Sequence, residues 1–466
     1  MKNTDLYSSY LLEKGVLSKS EKNIGYNPPA RMQSDTMDVY YSRKLLIWVF
    51  QTGEPLHLDG KNVRPMRAMN IANALVQAGH KVVLWSSAFY HQEKRHRSPT
   101  SKRIRISNNL EIRLIPSMGY NGNVSVARLM DHAQLAFNLK NMLGKEKELP
   151  HAAFIGYPPV EPAAVMVSWL ARRGVPTLLD VKDQWPAMFL DIVPASCRPL
   201  VRLVLSPYFY LARGAMRNAT GLSTMANGFL DWALKFAGRE RTEKDGVFPL
   251  TSPSCQVNDE DLKTARQWWD QRGIGKDGRP CICFVGSQSP AFDFKPVYAA
   301  ARMASNSRTG CEFVICGEGS SSGKVRAMMS SLSNVHFPGW IDRPKAVALA
   351  ERSYAALAPY LCKENFIMNI PNKIIDALSL GLPVLSPLQG EVAKLITEHG
   401  VGMCYGADTG KSLYDCILAL MQDAALRKRI SLAAHSLYLG RFSFDKVYGS
   451  LVKHLEILSC SAIALR

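Results

Sequence analysis

The sequence predicts an α/β protein with two doubly wound parallel sheets in tandem and a ligand cleft between them. A chain of 466 residues, 47% of them hydrophobic, is long enough for two or three domains. Each half alternates short apolar strand patterns with amphipathic helical ones, which is typical of parallel sheets joined by helices. Glycine-rich or polar turns follow several strands, and such sheets bind ligands at the strands' carboxyl ends.

The first sheet begins with an apolar strand over residues 44–50. A helix is predicted over 66–78, because apolar residues recur there at helical spacing and Gly79 follows as a stop signal. The strands that complete this sheet are predicted over residues 81–85, 152–157 and 177–181. This β-loop-α-β order favours a parallel sheet.

The second sheet follows residues 236–278, whose content of charge, glycine and proline suits a linker. Its strands are predicted over residues 281–286, 312–316, 335–340, 355–359 and 383–385. The predicted organisation is a polar extension (1–40), a first domain (41–235), the linker, a second domain (279–440), and a C-terminal helix (441–466) that could pack back on the first domain.

Residues 371–385 combine a helix start, an apolar helical stripe, a glycine stop and a buried strand. Pro371 suits the start of the helix, and Asn372, Lys373 and Asp376 lie on or near its first turn. The N–H groups and the positive end of the helix favour an anion there, and Lys373 adds a cation suited to phosphate. A diphosphate with a ribose attached would fit, whereas a capped structural helix is the alternative interpretation.

Composition limits the partners and the location. The net charge of +18 and pI of about 9.4 call for an anionic partner: a phosphorylated ligand, an anionic membrane surface or nucleic acid. The ten cysteines lack metal-ligand and disulfide spacing, which indicates reduced, mostly buried thiols in a cytoplasmic protein. No signal peptide or run of about 18 apolar residues is found.

Asp259-Glu260-Asp261 looks like a metal-binding DxD motif, but the capped start of a helix explains it better.

Two series of motifs carry a resemblance to a known family. In the second half they are Phe284-Val285-Gly286, Cys316-Gly317-Glu318-Gly319, Asn334 to Gly339, Ala358-Pro359, Pro371-Asn372-Lys373 through Val384, and Gly390-Glu391-Val392. In the first half they are Gly53-Glu54-Pro55, Arg64 to Arg67, Gly79-His80, His91 with Lys94, Tyr120 with Asn123 and Arg128, and Asp180 to Pro186. Through these motifs, over residues 44–460, the chain resembles family 4 glycosyltransferases of the GT-B fold, similar to bacterial enzymes that build O-antigen, capsule or other surface polysaccharides.

The resemblance implies two Rossmann-like domains, with a nucleotide-sugar donor in the second and the acceptor in the first. It implies a hexosyl- or N-acetylhexosaminyl-transferase that retains anomeric configuration and needs no metal or other cofactor. The donor is most often UDP-linked in this family. The implied acceptor is a saccharide or a polyprenyl-diphosphate-linked sugar, and the implied location is the cytoplasm or, peripherally, the inner face of the cytoplasmic membrane.

Site residues follow from the same resemblance. The implied donor-binding residues are Gly53, Gly286, Gly317, Glu318, Gly339, Trp340, Asn372, Lys373, Asp376 and Glu391. Lys295 and Lys373 are candidates for the cations that stabilise the leaving diphosphate. Asp180 and Asp183 are candidates near the reacting centre, where a carboxylate could take the acceptor's proton. Lys295 could instead be a solvated lysine at a helix start, and Glu391 an ordinary acid at a helix N-terminus.

The sequence departs from the family pattern at two places. Ser287 and Gln288 stand where an arginine usually follows the first glycine of the second domain. Of the family's paired glutamates, the second position holds Asp376 and the first holds Met368. Two nearby side chains could supply the missing sugar contact, those of Glu364 and Asn369.

Basic residues concentrate in the acceptor half. The candidates for acceptor or membrane contact are Arg64, Arg67, His91, Lys94 and Arg128. A predicted loop over 91–105 holds six lysines and arginines against one glutamate, and residues 199–217 mix arginines with an apolar run. The second segment could lie on an anionic bilayer, or form a core helix with solvated arginines.

Three other functions stay open at this point. A GT-B nucleotide-sugar epimerase would release free nucleotide without an acceptor. A nucleic-acid-binding protein would explain the charge, although no recognised binding signature accompanies it. A non-catalytic scaffold would explain Ser287 and Met368.

Overall fold

The structure is a computed structural model that describes residues 44–463, except 61, 62, 64, 123, 124, 192, 253–256, 308 and 407–409. The predicted extension over 1–40, the candidate Arg64 and the motif residue Asn123 lie outside the described residues. The predicted fold class, a mixed α/β protein with two doubly wound parallel sheets, is confirmed.

The first domain is built on an eight-stranded sheet. The described residues of this domain form ten strands, eight of them in this sheet: β1 (Leu46–Phe50), β2 (Lys81–Ser87), β3 (Phe89–Tyr90), β4 (Arg95–His96), β5 (Lys102–Ser107), β6 (Leu110–Ile115), β7 (Ala152–Tyr157), β8 (Thr177–Val181), β9 (Gly221–Thr224) and β10 (Gly246–Val247). The sheet order is β10-β9-β8-β7-β1-β2-β6-β5, and β3 pairs with β4 in a separate antiparallel ribbon. Every residue of β1, β7 and β8 is buried, because helices cover both faces of the sheet.

In the part of the chain that the structure describes, six α-helices accompany this sheet: α1 (Arg67–Gln77), α2 (Val126–Leu143), α3 (Val160–Ala171), α4 (Arg198–Val204), α5 (Ser206–Asn218) and α6 (Asn227–Ala237). One core cluster joins α2, α3, α5 and α6 to one face of the sheet. The opposite face packs against α1 and the C-terminal helix of the chain.

The second domain is built on a six-stranded, wholly parallel sheet. Its strands are β11 (Cys281–Val285), β12 (Glu312–Cys316), β13 (Val335–Gly339), β14 (Ser353–Leu357), β15 (Val384–Ser386) and β16 (Gly402–Cys404), in the order β13-β12-β11-β14-β15-β16. The helices are α7 (Asp259–Asp270), α8 (Lys295–Asn306), α9 (Ser322–Met329), α10 (Arg343–Ala350), α11 (Glu364–Ile367), α12 (Asn372–Ser379), α13 (Glu391–His399), α14 (Gly410–Gln422) and α15 (Ala424–Leu437). A π-helical turn, Tyr438–Phe442, leads into α16 (Phe444–Ile463).

The last helix, α16, crosses back to the first domain. Val447, Leu451 and Leu455 belong to the same core cluster as strand β1. At its far end, Glu456 Oε1 lies 2.9 Å from Nε2 of His80. The C-terminal segment therefore covers one face of the first sheet, although it follows the second domain in sequence.

The predicted linker over 236–278 is largely structured. Strand β10 extends the first sheet, whereas α7 packs on the second domain through Trp269, whose Nε1–H donates to Lys345 O at 2.8 Å. Helix α7 begins at Asp259, and the side chain of Asn258 accepts a hydrogen bond from the Asp261 N–H. The acidic run is thus the start of a helix, as the sequence indicated.

The prediction of a loop over 91–105 is wrong, because this segment contains β4 and most of β5. Strand β5 pairs antiparallel with β6 at the edge of the first sheet. Its residues are exposed or half-buried, so it lacks the apolar pattern by which buried strands are recognised. Several arginines of this segment also have carboxylate partners: Arg97 pairs with Asp59, and Arg103 with Glu146. The concentration of positive charge is therefore partly neutralised within the fold.

None of the helices in the described part of the chain is long and apolar enough to cross a membrane.

Candidate functional site

Two glycines at the carboxyl end of the second sheet make room for Lys373. Gly286 follows β11 with a φ of +144°, and a Cβ there would lie 1.7 Å from Nζ of Lys373. Gly317 follows β12, and a Cβ there would lie 2.2 Å from the carbonyl oxygen of Gly286. The two strand ends therefore approach closely, and the ammonium of Lys373 lies against the bare backbone of Gly286.

Helix α12 carries Lys373 on its first turn. Its apolar side is buried in the second domain through Ile374, Ile375, Ala377 and Leu378. Nζ of Lys373 lies 5.6 Å from the centroid of the Phe284 ring, and exposed Asn372 borders the cleft of the first domain. Asp376 is half-buried one turn further on. The structure thus places a cation, the start of a helix and a carboxylate on one element at the end of the second sheet.

Met368, at the position of the family's first glutamate, contacts the first domain. Its side chain packs against the first domain's core, and its sulfur lies 3.8 Å from Nε2 of Gln184. Asn369, one of the predicted substitutes, is buried, and its Oδ1 has no hydrogen-bond partner among the described residues. Glu364 lies at the start of the short helix α11. Met368 therefore contributes interdomain packing where a glutamate would offer a sugar contact.

Glu391 lies where the two domains meet. It begins α13 after Gly390, whose φ is +68°. A Cβ on Gly228, at the start of α6 in the first domain, would lie 3.2 Å from Oε1 of Glu391. Glu391 is thus both an acid in the first turn of a helix and an interdomain contact.

The other candidates of the second domain are more exposed. The carboxylate of Glu318 pairs with Arg326 at 2.6 Å, and Gly339 lies close to that same carboxylate. The Trp340 side chain, just after β13, is 75% exposed. Lys295 is exposed at the first position of α8. Their contacts with a donor stay predictions.

A cleft of about 800 Å³ opens at the carboxyl ends of the first sheet. Gly53, Pro159 and Asp183 border it after strands β1, β7 and β8, and Asn372 borders it from the second domain. The cleft therefore lies in the first domain and reaches the helix that carries Lys373.

Lys182 borders this cleft and joins two of its loops, a role that the sequence analysis did not predict. Its ammonium donates to Gln51 Oε1 and to Glu54 Oε1, both at 2.7 Å. The other carboxylate oxygen of Glu54 accepts the N–H of Ala68 at 2.8 Å, on the first turn of α1. These bonds tie the loop after β1 to the end of β8. The sequence signal that could have indicated this role is that Glu54 and Lys182 each follow a buried strand.

The position of Asp180 favours a structural role over the predicted catalytic one. Its two oxygens accept bonds from Nε and a terminal nitrogen of Arg67 at 2.7 and 2.8 Å, and Ser223 Oγ donates to it at 2.8 Å. The residue has no exposed surface. A buried carboxylate so engaged holds the first domain together through Arg67 and Ser223, and its predicted role in the reaction stays a prediction. Arg67, a predicted acceptor contact, also borders the cleft. Its guanidinium is paired with the buried carboxylate of Asp180.

Asp183, unlike Asp180, borders the cleft and is half-buried. Burial raises the pKa of its carboxyl, and the positive charges of Lys182 and Arg128 oppose that rise. A raised pKa makes a carboxylate a better proton acceptor. Its position is therefore compatible with the predicted role near the acceptor.

Three candidates for acceptor contact meet at Tyr120. Nδ1 of His91 lies 2.6 Å from the Tyr120 hydroxyl and 3.1 Å from Nζ of Lys94. The Lys94 ammonium lies 4.5 Å from the centroid of the Tyr120 ring, and the Arg128 guanidinium lies 5.5 Å from it. Burial and these two cations lower the pKa of His91 to about 4. The structure thus brings together residues 91, 94 and 128.

Within the part of the chain that the structure describes, no group of three or more His, Cys, Asp or Glu is placed to hold a metal ion. Five of the free cysteines found there are buried. Burial raises the pKa of the Cys283 thiol to about 11, as expected of an inert thiol. A reaction without metal or other cofactor stays a prediction.

Comparison with known proteins agrees with this geometry. Residues 279–423 match the family described as "Glycosyl transferases group 1". Among curated proteins, none matches the chain.

Solved structures with the same fold align over both domains. Sucrose-phosphate synthase from Thermosynechococcus elongatus is 12% identical, with a TM-score of 0.65 over 90% of this chain and 100% of that one. WaaG, a glycosyltransferase involved in lipopolysaccharide biosynthesis, is 16% identical, with a TM-score of 0.59 over 88% of this chain and 99% of WaaG. Anabaena Alr3699/HepE in complex with UDP and glucose is 14% identical, with a TM-score of 0.59 over 89% and 100% of the two chains. The fold is therefore that of the GT-B glycosyltransferases, and the family match is confined to the second domain of the chain.

Proposed function

We propose that this chain is a retaining glycosyltransferase that moves a sugar from a nucleotide-sugar to a saccharide or lipid-linked acceptor in the synthesis of a surface polysaccharide. The position of Lys373 is the observation that carries the proposal. Lys373 lies on the first turn of α12, and its ammonium lies against Gly286 at the carboxyl end of the second sheet. The preceding residue, Asn372, borders the cleft of the first domain. A departing nucleoside diphosphate develops negative charge, which this cation and the helix N-terminus stabilise.

The other residues divide the work between the domains. Asp376 is suited to accept hydrogen bonds from ribose hydroxyls, and Glu391 is suited to contact the donor sugar at the domain boundary. Asp183 would accept or orient the acceptor hydroxyl from the first domain. In retention by same-face attack, the leaving phosphate itself can assist the proton transfer, so Asp183 acts chiefly by positioning.

A UDP-linked donor and a surface-polysaccharide acceptor are the finer parts of this proposal. The similar HepE structure was solved with UDP and glucose, which supports UDP as the nucleotide. The similarity to WaaG, described as involved in lipopolysaccharide biosynthesis, supports a surface-polysaccharide acceptor.

Binding of nucleotide-sugars tests the proposal directly. A thermal-shift screen of UDP-, GDP- and ADP-sugars is expected to show stabilisation by the UDP compounds, by about 2.7 kcal/mol at a hundred times Kd. Prolonged incubation with the donor alone should then release UDP and the sugar with its ring stereochemistry unchanged, through slow hydrolysis. Release of UDP together with an epimerised sugar would identify an epimerase instead, and stabilisation by nucleic acid alone would point to the rival binding function.

The proposal includes peripheral attachment to an anionic membrane, through helices α4 and α5. No residue of α4 is buried, whereas α5 packs on the core through Ala212, Ala215 and Met216, so the alternative of a core helix is wrong for α4 and holds for α5. The side chains of Leu203 and Val204 are each 70% exposed, and that of Tyr210 is 82% exposed. Four arginines accompany these apolar side chains, at positions 198, 202, 213 and 217. An apolar surface with adjacent positive charge matches the interface of an anionic bilayer.

Vesicle flotation tests this attachment. The double substitution Leu203→Ser/Val204→Ser is expected to weaken binding to vesicles of mixed neutral and anionic phospholipids by about 10-fold or more, because two apolar side chains are lost from the interface. Leu439→Ser, at a 52% exposed position in the π-helical turn, is the control and should bind as the unsubstituted protein does. Failure of the unsubstituted protein to bind these vesicles at physiological salt would refute membrane attachment.

A further inference from the structure

The loop that follows β1, residues 51–55, is held in place by Lys182. The Lys182 ammonium donates to Gln51 Oε1 and to Glu54 Oε1, both at 2.7 Å. Gly53, between these two residues, adopts a φ of +77°, and a Cβ there would meet nothing within 4 Å. Gly53 also borders the cleft of the first domain. A ligand in the cleft can therefore approach the backbone of this loop closely.

The contact between Lys182 and this loop spans a neighbouring strand. The sheet order is β8-β7-β1, so the side chains of Lys182 and Gln51 meet over the end of β7. Gly156 of β7 makes the room, because a Cβ there would lie 1.6 Å from Gln51 Oε1. Adjacent strands lie about 4.8 Å apart, so the two side chains close a gap of about 10 Å. The ends of β1 and β8 are thus connected through the Lys182 ammonium.

The same network fixes the start of helix α1. The second carboxylate oxygen of Glu54 accepts the N–H of Ala68 at 2.8 Å, where the helix has no side-chain cap of its own. Arg67, the first residue of α1, pairs with Asp180, two positions before Lys182. A spacing of two puts both side chains on one face of a strand. Two ion pairs of opposite polarity therefore hold α1 and the loop after β1 on the end of β8.

The bonds around Glu54 are largely shielded from solvent. The side chains of Glu54 and Lys182 are 8% and 17% exposed. On the far side of the loop, the Arg97 guanidinium donates to the Glu54 carbonyl oxygen at 2.9 Å and pairs with Asp59. Removal of one partner from a shielded ion pair leaves the other charge uncompensated. The pair of Glu54 and Lys182 therefore holds the loop more firmly than an exposed pair would.

Lys182 is also the neighbour in sequence of Asp183, the carboxylate that borders the cleft. Gly53 borders the same cleft from the loop after β1. Because the Lys182 ammonium joins that loop to the end of β8, it fixes the separation of Asp183 from Gly53.

We propose that Lys182 is a positioning residue for the transfer reaction, which acts through Glu54 to set the place of the loop after β1 relative to Asp183. The proposal deepens the transfer function above and rests on it, because Asp183 is the proposed acceptor-side group. Reacting groups must be held at a defined separation, and a displacement of about 1 Å can cost about 10²-fold in rate. Loss of Lys182 would displace the loop in the first domain and leave the donor residues of the second domain unchanged.

Four variants test this role: Lys182→Met, Glu54→Gln, the double variant Glu54→Gln/Lys182→Met, and Lys182→Arg. The substrate is whichever of UDP-glucose, UDP-galactose and UDP-N-acetylglucosamine raises the Tm most, and its hydrolysis, in which water takes the place of the acceptor hydroxyl, is followed by release of UDP. The first three variants are each expected to lower kcat by about 10- to 100-fold with little change in KM, because the second domain still binds the donor. Lys182→Arg keeps the charge and should recover most of kcat.

The double variant measures whether the two residues act as a unit. It leaves neither charge of the pair uncompensated, so it is expected to fold, and it should lose no more kcat than either single variant. Hydrogen exchange of the amides of residues 52–56, measured with UDP bound, should be faster in the same three variants, at an unchanged Kd of UDP. The control is Lys411→Met, on an exposed lysine paired with Asp415, and it should alter none of these quantities.

Three results would overturn this role. If Lys182→Met lost turnover and Glu54→Gln kept it, Lys182 would act by touching the substrate itself. A lower Tm with unchanged kcat in the folded variants would show that the pair only stabilises the fold. Unchanged exchange of the loop amides would refute the role whatever the turnover. If the unsubstituted protein bound neither UDP nor any of the three UDP-sugars, the proposed function would fail, and the role of Lys182 with it.

Discussion

Lys373→Ala is expected to lower kcat/KM for the nucleotide-sugar by about 10²- to 10³-fold, the usual loss when one group that stabilises developing negative charge is removed. The reason is the position of the ammonium, packed against Gly286 at the end of β11. The positions after Gly286 hold Ser287 and Gln288, so the family's usual arginine is missing there. The measurement is initial-rate kinetics with the donor identified by thermal shift, in both transfer and slow donor hydrolysis.

Two further variants test whether the position of the Lys373 ammonium matters. Gly286→Ala keeps the lysine but places a Cβ 1.7 Å from its Nζ, so it should reproduce most of the loss by displacing the ammonium. Lys411→Ala removes an exposed lysine on α14 and should leave the kinetics unchanged. Unaltered kcat/KM in Lys373→Ala would show that this lysine does not contact the diphosphate, and the site assignment would then fail.

Much of the fold could be predicted from residue patterns, because buried parallel strands are continuous apolar runs. Strands β7 and β8 have the predicted bounds, 152–157 and 177–181. Helix α12 also begins within the segment predicted to bind an anion, since its apolar stripe and its proline are both local signals. Edge strand β5 escaped prediction because charged residues protect it from further pairing, and charge in a strand resembles a loop.

The roles of polar residues were harder to predict, because they depend on partners distant in sequence. Asp180 is the fourth residue of strand β8 and Asp183 follows the end of that strand, so the two are three residues apart near the same edge of the sheet. Their difference arises from Arg67, 113 positions away, which engages one carboxylate and leaves the other at the cleft. Met368 is similar: its contact with Gln184 of the first domain depends on how the two domains meet.

Asp180→Asn should therefore chiefly lower the free energy of unfolding, with a smaller direct effect on turnover. The substitution keeps the size of the side chain but leaves the buried guanidinium of Arg67 without its counter-ion, which typically costs about 3–5 kcal/mol. For a domain of this size the expected fall in Tm is about 6–20 °C. The matched control is Asp415→Asn, which breaks the exposed pair with Lys411 and should cost less than about 1 kcal/mol. Scanning calorimetry and the residual kcat of the folded protein at low temperature are the measurements.

A double variant distinguishes a structural pair from a catalytic carboxylate. Arg67→Met/Asp180→Asn removes both charges together, so no uncompensated ion stays buried, and part of the lost stability should return. Activity of the folded double variant should return with it if the pair acts only by holding the first domain together. If Asp180→Asn instead kept the original Tm and lost turnover, and the double variant stayed inactive, the carboxylate would have to act in the reaction itself. The positions of the two aspartates favour the first outcome: the cleft is bordered by Asp183, whereas Asp180 lies below it with both oxygens bound.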